Sequence, residues 1–238
     1  MDFVVSAIVK ESRTSFDVLG GKLYLYPYIN GDVVKMDNDK FPKDMVNTLT
    51  EILIKLHKVT PSINTQLPVE DYTSDNRRRF NLLLASNPLY NSNIFLQTLT
   101  ERKEKIDELI TKYENLGNTL KLQNIQNILT HGDVTGLNFI NTGEKLYLTD
   151  WDGAMLAPPE RDLNFLVSNP NFSIEHYLQE TGKVEYREDI KDYYGMRWSL
   201  DSILCNLEVL ASIELKKNDI KEIIDEIDKY INYYCLLL

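Results

Sequence analysis

Residues 131–152 constrain the fold most strongly, because two short strand patterns there interrupt a chain that from residue 43 onward is otherwise patterned for helices. The strands are joined by residues 141–144, an Asn-Thr-Gly-Glu sequence typical of a tight hairpin turn. The segment opens with the letters H-G-D and closes with D-W-D. A hairpin brings its two ends together, so the pattern predicts one polar site set into a mostly helical body.

Most of the remaining chain has apolar residues at helical spacing. One helix is predicted over 43–58, and a second over 92–116, with Gly117 as its C-cap. A shorter helix is predicted over 122–129, just before the motif. Further helical patterns cover 160–168, 173–180, 186–214 and 217–236.

The N-terminal residues read as strands instead. Residues 3–9 and 22–29 are rich in aliphatic and aromatic side chains, and the Gly-Gly pair in 17–21 predicts a turn between them. We therefore expect an antiparallel hairpin over residues 3–29, with Pro27 ending its ladder.

Composition limits the classes of function. The net charge of −10 argues against nucleic acid as a partner and favours a cationic substrate, although acidic composition also serves solubility alone. The chain has no run of 18 apolar residues, no basic N-terminal region and only two cysteines. These features predict a cytoplasmic, reduced protein without a membrane span or a disulfide framework.

The motif suits phosphoryl transfer. That reaction needs a group that orients the acceptor hydroxyl and takes its proton, together with oxygen ligands for Mg²⁺ on the phosphates. Asp133 and Asn138 are five residues apart, and Asp150 follows the next strand. The same order, Asp, Asn and a later Asp, serves protein kinases.

These residues carry a family resemblance. His131-Gly132-Asp133 with Asn138 and Asp150-Trp151-Asp152 resembles the aminoglycoside phosphotransferase and choline kinase family, and the stretch after Asp150 is most similar to its spectinomycin phosphotransferase-like members. Residues 26–31 resemble the hinge between the two lobes, and Leu56-His57 resembles the end of the first long helix.

The resemblance implies an α+β, protein-kinase-like fold. Its mostly α-helical large lobe would carry the inserted catalytic β-hairpin, and a remnant β-hairpin would represent the small lobe. The corresponding domains are residues 1–29, the remnant nucleotide lobe and hinge, and residues 30–238, the helical lobe with the catalytic loop and acceptor site.

The resemblance also implies roles for the motif residues. Asp133 would orient and deprotonate the acceptor hydroxyl, and Asn138 and Asp150 would bind Mg²⁺. His131 would buttress the loop, and Asp152 would assist the metal or pair with a donor.

Two further groups would support the site. Asp162 would be a structural acid that ties the following loop to the catalytic loop or caps a helix. Backbone groups of Tyr26, Pro27 and Tyr28 would meet the base of ATP, or of GTP.

The chain departs from the family before the hinge. Such kinases hold a glycine-rich loop and a strand lysine there. Here the stretch ending at Lys10 imitates the lysine motif, but only 15 residues separate Lys10 from Tyr26, too few for the intervening elements. The expectation is a truncated phosphotransferase with impaired ATP binding, and the alternative is a catalytically inactive remnant or small-molecule-binding scaffold.

The acceptor is predicted to be a small cationic or sugar-like molecule that carries a hydroxyl. Asp201 and Glu208 are seven residues apart, so they share a helix face, and Trp198 lies near them in the sequence. They form a candidate acceptor site, with a solvated helix face as the alternative. The apolar C-terminal tail, with Tyr230 and Tyr233, is predicted to pack on the body, or else to form a homodimer contact.

Overall fold

The computed structural model describes residues 2–5, 8, 15–18, 21–37, 40–59, 67–86, 88–183 and 185–235. In chain order the elements are β1 (Ser15–Val18), β2 (Gly21–Tyr24), β3 (Asp32–Val33), α1 (Lys43–Lys58), α2 (Asn76–Ala85), α3 (Ser92–Lys121), β4 (Ile128–Thr130), β5 (Phe139–Asn141), β6 (Leu146–Leu148), β7 (Met155–Ala157), α4 (Glu160–Leu163), α5 (Ile174–Thr181), α6 (Glu188–Ser212) and α7 (Lys217–Cys235). Helices with small antiparallel sheets confirm the predicted α+β class.

The chain divides into two compact units. The first consists of Met1–Val69 with Gln126–Tyr186, and the second of Glu70–Ile125 with Arg187–Leu238. The first unit therefore contains all the motif residues from His131 to Asp162. The predicted division after residue 29 lies inside the first unit and stays a prediction about family architecture.

Small antiparallel sheets organise the first unit. β1 pairs with β2, β5 lies between β3 and β6, and β4 pairs with β7. In the β5–β6 hairpin, Phe139 lies opposite Leu148. The N-terminal residues extend this sheet, because the N–H of Leu148 donates to the carbonyl of Phe3 at 2.9 Å.

Helix α1 closes the core of the first unit. It buries an apolar stripe at helical spacing that includes Leu49, Leu53 and Leu56. The same core contains Phe139 and Leu148 of the hairpin. The burial of this stripe fixes α1 against the sheet whose strand ends carry the motif.

Helices α2, α3, α6 and α7 build the second unit. Its core contains the stacked rings of Tyr113 and Tyr193, whose centroids are 4.6 Å apart and whose hydroxyls are 2.9 Å apart. Among the described residues, no helix combines the length and the apolar character that crossing a lipid bilayer requires.

Two helix predictions were wrong. The helix predicted over 122–129 does not form: residues 122–127 lie between α3 and β4, and residues 128–130 form a strand that pairs with β7, a partner that the local pattern does not reveal. Gly117 is not a C-cap, since α3 continues to Lys121. A Cβ at Gly117 would lie 3.1 Å from both the Tyr193 ring and the carbonyl of Tyr72, so this glycine allows close packing inside the helix.

The N-terminal hairpin is also corrected. β2 pairs with β1, with Ser15 opposite Tyr24, whereas the prediction paired residues 22–29 with residues 3–9. The N–H of Ile8 does donate to the carbonyl of Leu25 at 2.7 Å. The rest of the lysine-motif imitation, residues 7, 9 and 10, and the tail at 236–238 lie outside the described residues.

Candidate active site

The β5–β6 hairpin brings the two halves of the motif together. A turn of 3-10 helix at Gly136–Asn138 leads into β5, and β6 ends just before Thr149. The N–H and the hydroxyl of Thr149 both donate to the backbone carbonyl of Asn138, at 2.9 and 3.1 Å. Asp150 therefore follows a residue that is in direct contact with Asn138.

His131 links the catalytic loop to the end of β6. Its buried ring donates from Nε2 to the carbonyl of Thr149 at 2.8 Å, and its Nδ1 accepts the N–H of Asp133 at 3.2 Å. These partners require the neutral Nε2–H tautomer, because a carbonyl only accepts and an amide N–H only donates. Both ring nitrogens are thus engaged in holding the loop, which supports a buttressing role.

Asp133 has an unusual carboxylate. Its Oδ1 is buried and has no hydrogen-bond partner among the described residues. The loop is held around it, since the Asn138 side-chain amide donates to the Asp133 carbonyl at 2.9 Å. A buried polar atom without a partner is costly and needs an explanation, and a hydrogen bond from a substrate hydroxyl would be one. That donation also directs the Asn138 Oδ1 away from the loop carbonyl.

Asp150 adopts a left-handed backbone conformation with a φ of 60°. This region is uncommon for residues other than glycine, and it is populated where the surrounding structure imposes it. The next residue supplies an anchor, because the indole N–H of Trp151 donates to the carbonyl of Leu148 at 3.1 Å. The side chains of Asp150 and Asp152 are exposed on either side of that anchor.

A cavity of about 660 Å³ lies beside these acids. Its walls come from the predicted hinge, from the N-terminal strand segment and from the hairpin: Val4, Val5, Tyr26, Pro27, Tyr28, Ile29, Ile140, Leu148, Thr149, Asp150, Trp151 and Asp152. Both the volume and the mixture of apolar walls with a few polar groups are typical of small-molecule sites. The structure thus brings the predicted base-binding residues and Asp150 to one cavity.

Asp162 anchors the catalytic loop from beneath. Its fully buried carboxylate accepts the backbone N–H groups of His131 and Gly132, both at 2.7 Å, and Nε2 of His57 lies 3.1 Å away. Burial alone would raise the pKa of Asp162, but the hydrogen bonds from His57 and the two amides hold it below its ordinary value of 3.8. Asp162 is therefore ionised, and its carboxylate links His57 of α1 to the loop at His131 and Gly132.

The sequence did not identify Tyr177, Arg161 or the contacts of His57 around this anchor. Tyr177 places its hydroxyl 2.6 Å from Nδ1 of His57. Arg161 donates to the Thr130 hydroxyl and to the Gly153 carbonyl, both at 2.9 Å, and so joins β4 to the turn after Asp150. Of these three residues, only His57 was singled out from the sequence, because Leu56-His57 resembles a family motif.

The site can be tested for its fit to Mg²⁺. Among the described residues, no group of three or more His, Cys, Asp or Glu side chains is placed to hold a metal ion. Mg²⁺ is, however, commonly held by one or two carboxylates together with the phosphates of a substrate. The hard oxygen donors of Asn138 and Asp150 fit that second kind of site.

The predicted acceptor residues lie in the second unit. Arg79 donates to both carboxylate oxygens of Glu208, at 3.0 and 3.1 Å, and to Asp201 at 3.1 Å. Partial burial raises the pKa of Asp201 despite the nearby Arg197 and Arg79. Trp198 is half-buried on the same helix. Their acceptor role stays a prediction, and a cationic acceptor would compete there with Arg79.

Solved structures share this architecture. Spectinomycin phosphotransferase bound to ADP and spectinomycin superposes with a TM-score of 0.70 at 21% identity, over 96% of this chain and 74% of that chain. Choline kinase from Streptococcus pneumoniae gives a TM-score of 0.58 at 16% identity, over 98% and 76%. An aminoglycoside 2'-phosphotransferase in its GDP complex gives 0.54 at 13% identity, over 97% and 76%. These likenesses confirm the predicted protein-kinase-like fold.

Sequence comparison gives the family. No curated protein sequence matches this chain. The model of the phosphotransferase enzyme family matches residues 4–203, which include the predicted hinge, the predicted catalytic loop and the Asp150-Trp151-Asp152 turn. With most of its length matched, the chain belongs to the phosphotransferase enzyme family.

Proposed function

We propose that the chain transfers the γ-phosphate of ATP, or of GTP, to a hydroxyl of a small amine- or sugar-containing molecule. The observation that carries this proposal is the buried Oδ1 of Asp133, which has no partner among the described residues, on a loop that hydrogen bonds of Asp162 and His131 hold in place. A carboxylate that needs a hydrogen-bond donor is suited to accept one from an incoming hydroxyl.

The cavity supports a nucleotide as the donor. Its volume suits a small ligand, and its hinge wall includes Tyr26, Pro27 and Tyr28. The solved structures of spectinomycin phosphotransferase and of an aminoglycoside 2'-phosphotransferase hold ADP and GDP, respectively. We propose that the base lies against the hinge wall and that the phosphates extend toward Asp150.

Asn138 and Asp150 would hold Mg²⁺ through their side-chain oxygens, and the ion would supply neutralising charge to the phosphate oxygens when bound. Asp150 combines this left-handed backbone conformation with a place in the cavity wall, where its carboxylate would meet the ion. The exposed Asp152 would assist from the same turn.

Asp133 would act on the acceptor. As the acceptor oxygen bonds to the γ-phosphorus, the bond between that phosphorus and the β,γ-bridging oxygen breaks, and the hydroxyl proton passes to Asp133. The hydrogen bonds of His131, Asn138 and Asp162 would position Asp133 for this step.

The acceptor class is tested by a panel. The net charge of −10 favours cationic acceptors through the long-range field. Spectinomycin, kanamycin and choline, incubated with Mg-ATP and the chain, are assayed for ADP release, with Asp133→Ala as the blank. Release above the blank for at least one acceptor supports the proposal and, for the antibiotics, a role in resistance. No release with any hydroxyl-bearing amine or sugar would contradict it.

We expect the 238-residue chain by itself to bind Mg-ATP weakly, with a Kd of about 1 mM or weaker. The reason is that no G-x-G-x-x-G sequence precedes Tyr26 to cover the phosphates. Trp151 lines the cavity, so fluorescence of a Trp198→Phe variant, in which Trp151 is the only indole, reports binding. A micromolar Kd would contradict this expectation.

The cavity would also serve one second candidate, a small-molecule-binding scaffold without phosphate transfer. Ligand-dependent fluorescence of Trp151 without ADP release from any acceptor would favour the scaffold. Release of ADP that depends on Asp133 would exclude it.

A further inference from the structure

The hydroxyl of Tyr177 lies at the outer end of a buried hydrogen-bond chain. It is 2.6 Å from Nδ1 of His57, whose Nε2 is 3.1 Å from the Asp162 carboxylate. Tyr177 is fully buried, and the side chains of His57 and Asp162 have no exposed surface. Because these side chains are shielded from solvent, each polar atom of the hydrogen-bond chain depends on the partner that the protein supplies.

The protons of this chain can be assigned from its two ends. At the inner end, Asp162 accepts two backbone N–H groups, and its pKa is lowered, so it is a carboxylate and can only accept. Nε2 of His57 must therefore carry a proton and donate it to Asp162. At the outer end, burial raises the pKa of the Tyr177 hydroxyl, which keeps its proton.

The tautomer of His57 depends on the contact between Nδ1 and the Tyr177 hydroxyl. A hydroxyl can donate or accept, and donation to Nδ1 leaves that nitrogen without a proton and the ring neutral with hydrogen on Nε2. Without that hydroxyl, Nδ1 would lack its donor, and the ring could move its proton to Nδ1 or gain a second one. In the first case, the lone pair of Nε2 would face the Asp162 carboxylate and repel it.

We propose that Tyr177 is a positioning residue for phosphate transfer, because its hydroxyl locks His57 in the Nε2–H tautomer that holds Asp162 against the backbone of His131 and Gly132. This inference rests on the proposed function of Asp133, which directly follows that backbone. The side chain acts through three hydrogen bonds, so it sets the place of Asp133 without touching a substrate.

The test is Tyr177→Phe, which keeps the buried ring and removes only the hydroxyl. Its matched control is Tyr113→Phe, which removes a buried hydroxyl with a 2.9 Å partner in the second unit. We expect kcat to fall about tenfold in Tyr177→Phe with KM for Mg-ATP within about twofold, because misplaced catalytic groups slow the chemical step. The Tyr113→Phe variant should retain kcat.

Nuclear magnetic resonance tests the tautomer without any activity. The chain has three histidines, so long-range ¹H–¹⁵N spectra resolve each ring. The wild type should show His57 with hydrogen on Nε2, and Tyr177→Phe should show the Nδ1–H form or the imidazolium. An Nδ1–H or doubly protonated His57 in the wild type, or an unchanged His57 in a folded Tyr177→Phe variant, would overturn the inference.

The two proposals fail separately. A wild-type chain that transfers no phosphate to any acceptor contradicts the proposed function, whatever the spectra show. If the wild type is active and Tyr177→Phe changes the tautomer but not kcat, the positioning role of Tyr177 is wrong and the proposed function stands. If Tyr177→Phe does not fold, the wild-type spectrum still decides the tautomer.

Discussion

Replacing Asp133 by alanine is expected to abolish phosphate transfer while leaving the chain as stable as before, or more stable. The loss of a general base lowers rates by roughly 10²–10⁴-fold. The buried Oδ1 of Asp133 has no partner among the described residues, so its removal breaks no side-chain hydrogen bond of that atom. Removing an unsatisfied buried oxygen can raise the free energy of unfolding by about 1–3 kcal/mol.

The measurement pairs steady-state ADP release with urea unfolding at pH 7. Glu144→Ala is the matched control, because it removes an exposed acid from the β5–β6 turn of the same unit. That control should retain both activity and stability. An Asp133→Ala variant that is much less stable than the wild type would show that the carboxylate is structural, and unchanged activity would remove it from the mechanism.

Replacing Asp162 by asparagine is expected to damage both stability and activity. The carboxylate accepts from two backbone amides and lies in hydrogen-bond distance of His57, all in a fully buried place. An asparagine would turn an NH₂ group toward one of these donors, so at least one buried donor would lose its acceptor. We expect the free energy of unfolding to fall by about 3 kcal/mol or more.

The effect of Asp162 should depend on pH in a defined direction. Its folded-state pKa lies below the ordinary value of 3.8, so the unfolded chain binds the proton more readily. The stabilisation by this group is therefore complete above about pH 5 and is lost as the pH falls below about 4. The difference in unfolding free energy between the wild type and Asp162→Asn should be constant near neutral pH and shrink in acid.

Urea titrations between pH 3 and pH 8 measure this difference, subject to the wild type remaining folded at the acid end. Asp189→Asn serves as the control, because Asp189 pairs with Arg187 near the surface of the second unit and should change stability little. A difference that grows in acid, or that is absent at pH 7, would contradict the assignment of Asp162 as a buried carboxylate anchor.

Local features were readable from the sequence. The turn composition after Asn141 indicated the hairpin, and the five-residue spacing of Asp133 and Asn138 placed both on one loop. The apolar period of α1 predicted both of its ends. These features depend on residues close together in the chain, so a short window contains all the information they need.

Features that depend on distant partners were not readable. The strand β4 was mistaken for a helix, because a short apolar run fits either structure and only its pairing with β7 decides. His57 and Asp162 are 105 residues apart, and Tyr177 is 120 residues from His57. Arg79 likewise pairs with Asp201 and Glu208 of α6, a contact that the helix pattern does not indicate.

The motif residues between His131 and Asp152 thus determined which chemical groups lie at the ends of the hairpin and in what order. Tertiary structure alone decided how those groups differ. Asp162 is a buried carboxylate that accepts from several donors, whereas Asp133 has a buried oxygen for which the described part of the chain supplies no donor. The reason is physical: burial and hydrogen-bond partners set the energy of a carboxylate, and here they come from segments far away in the chain.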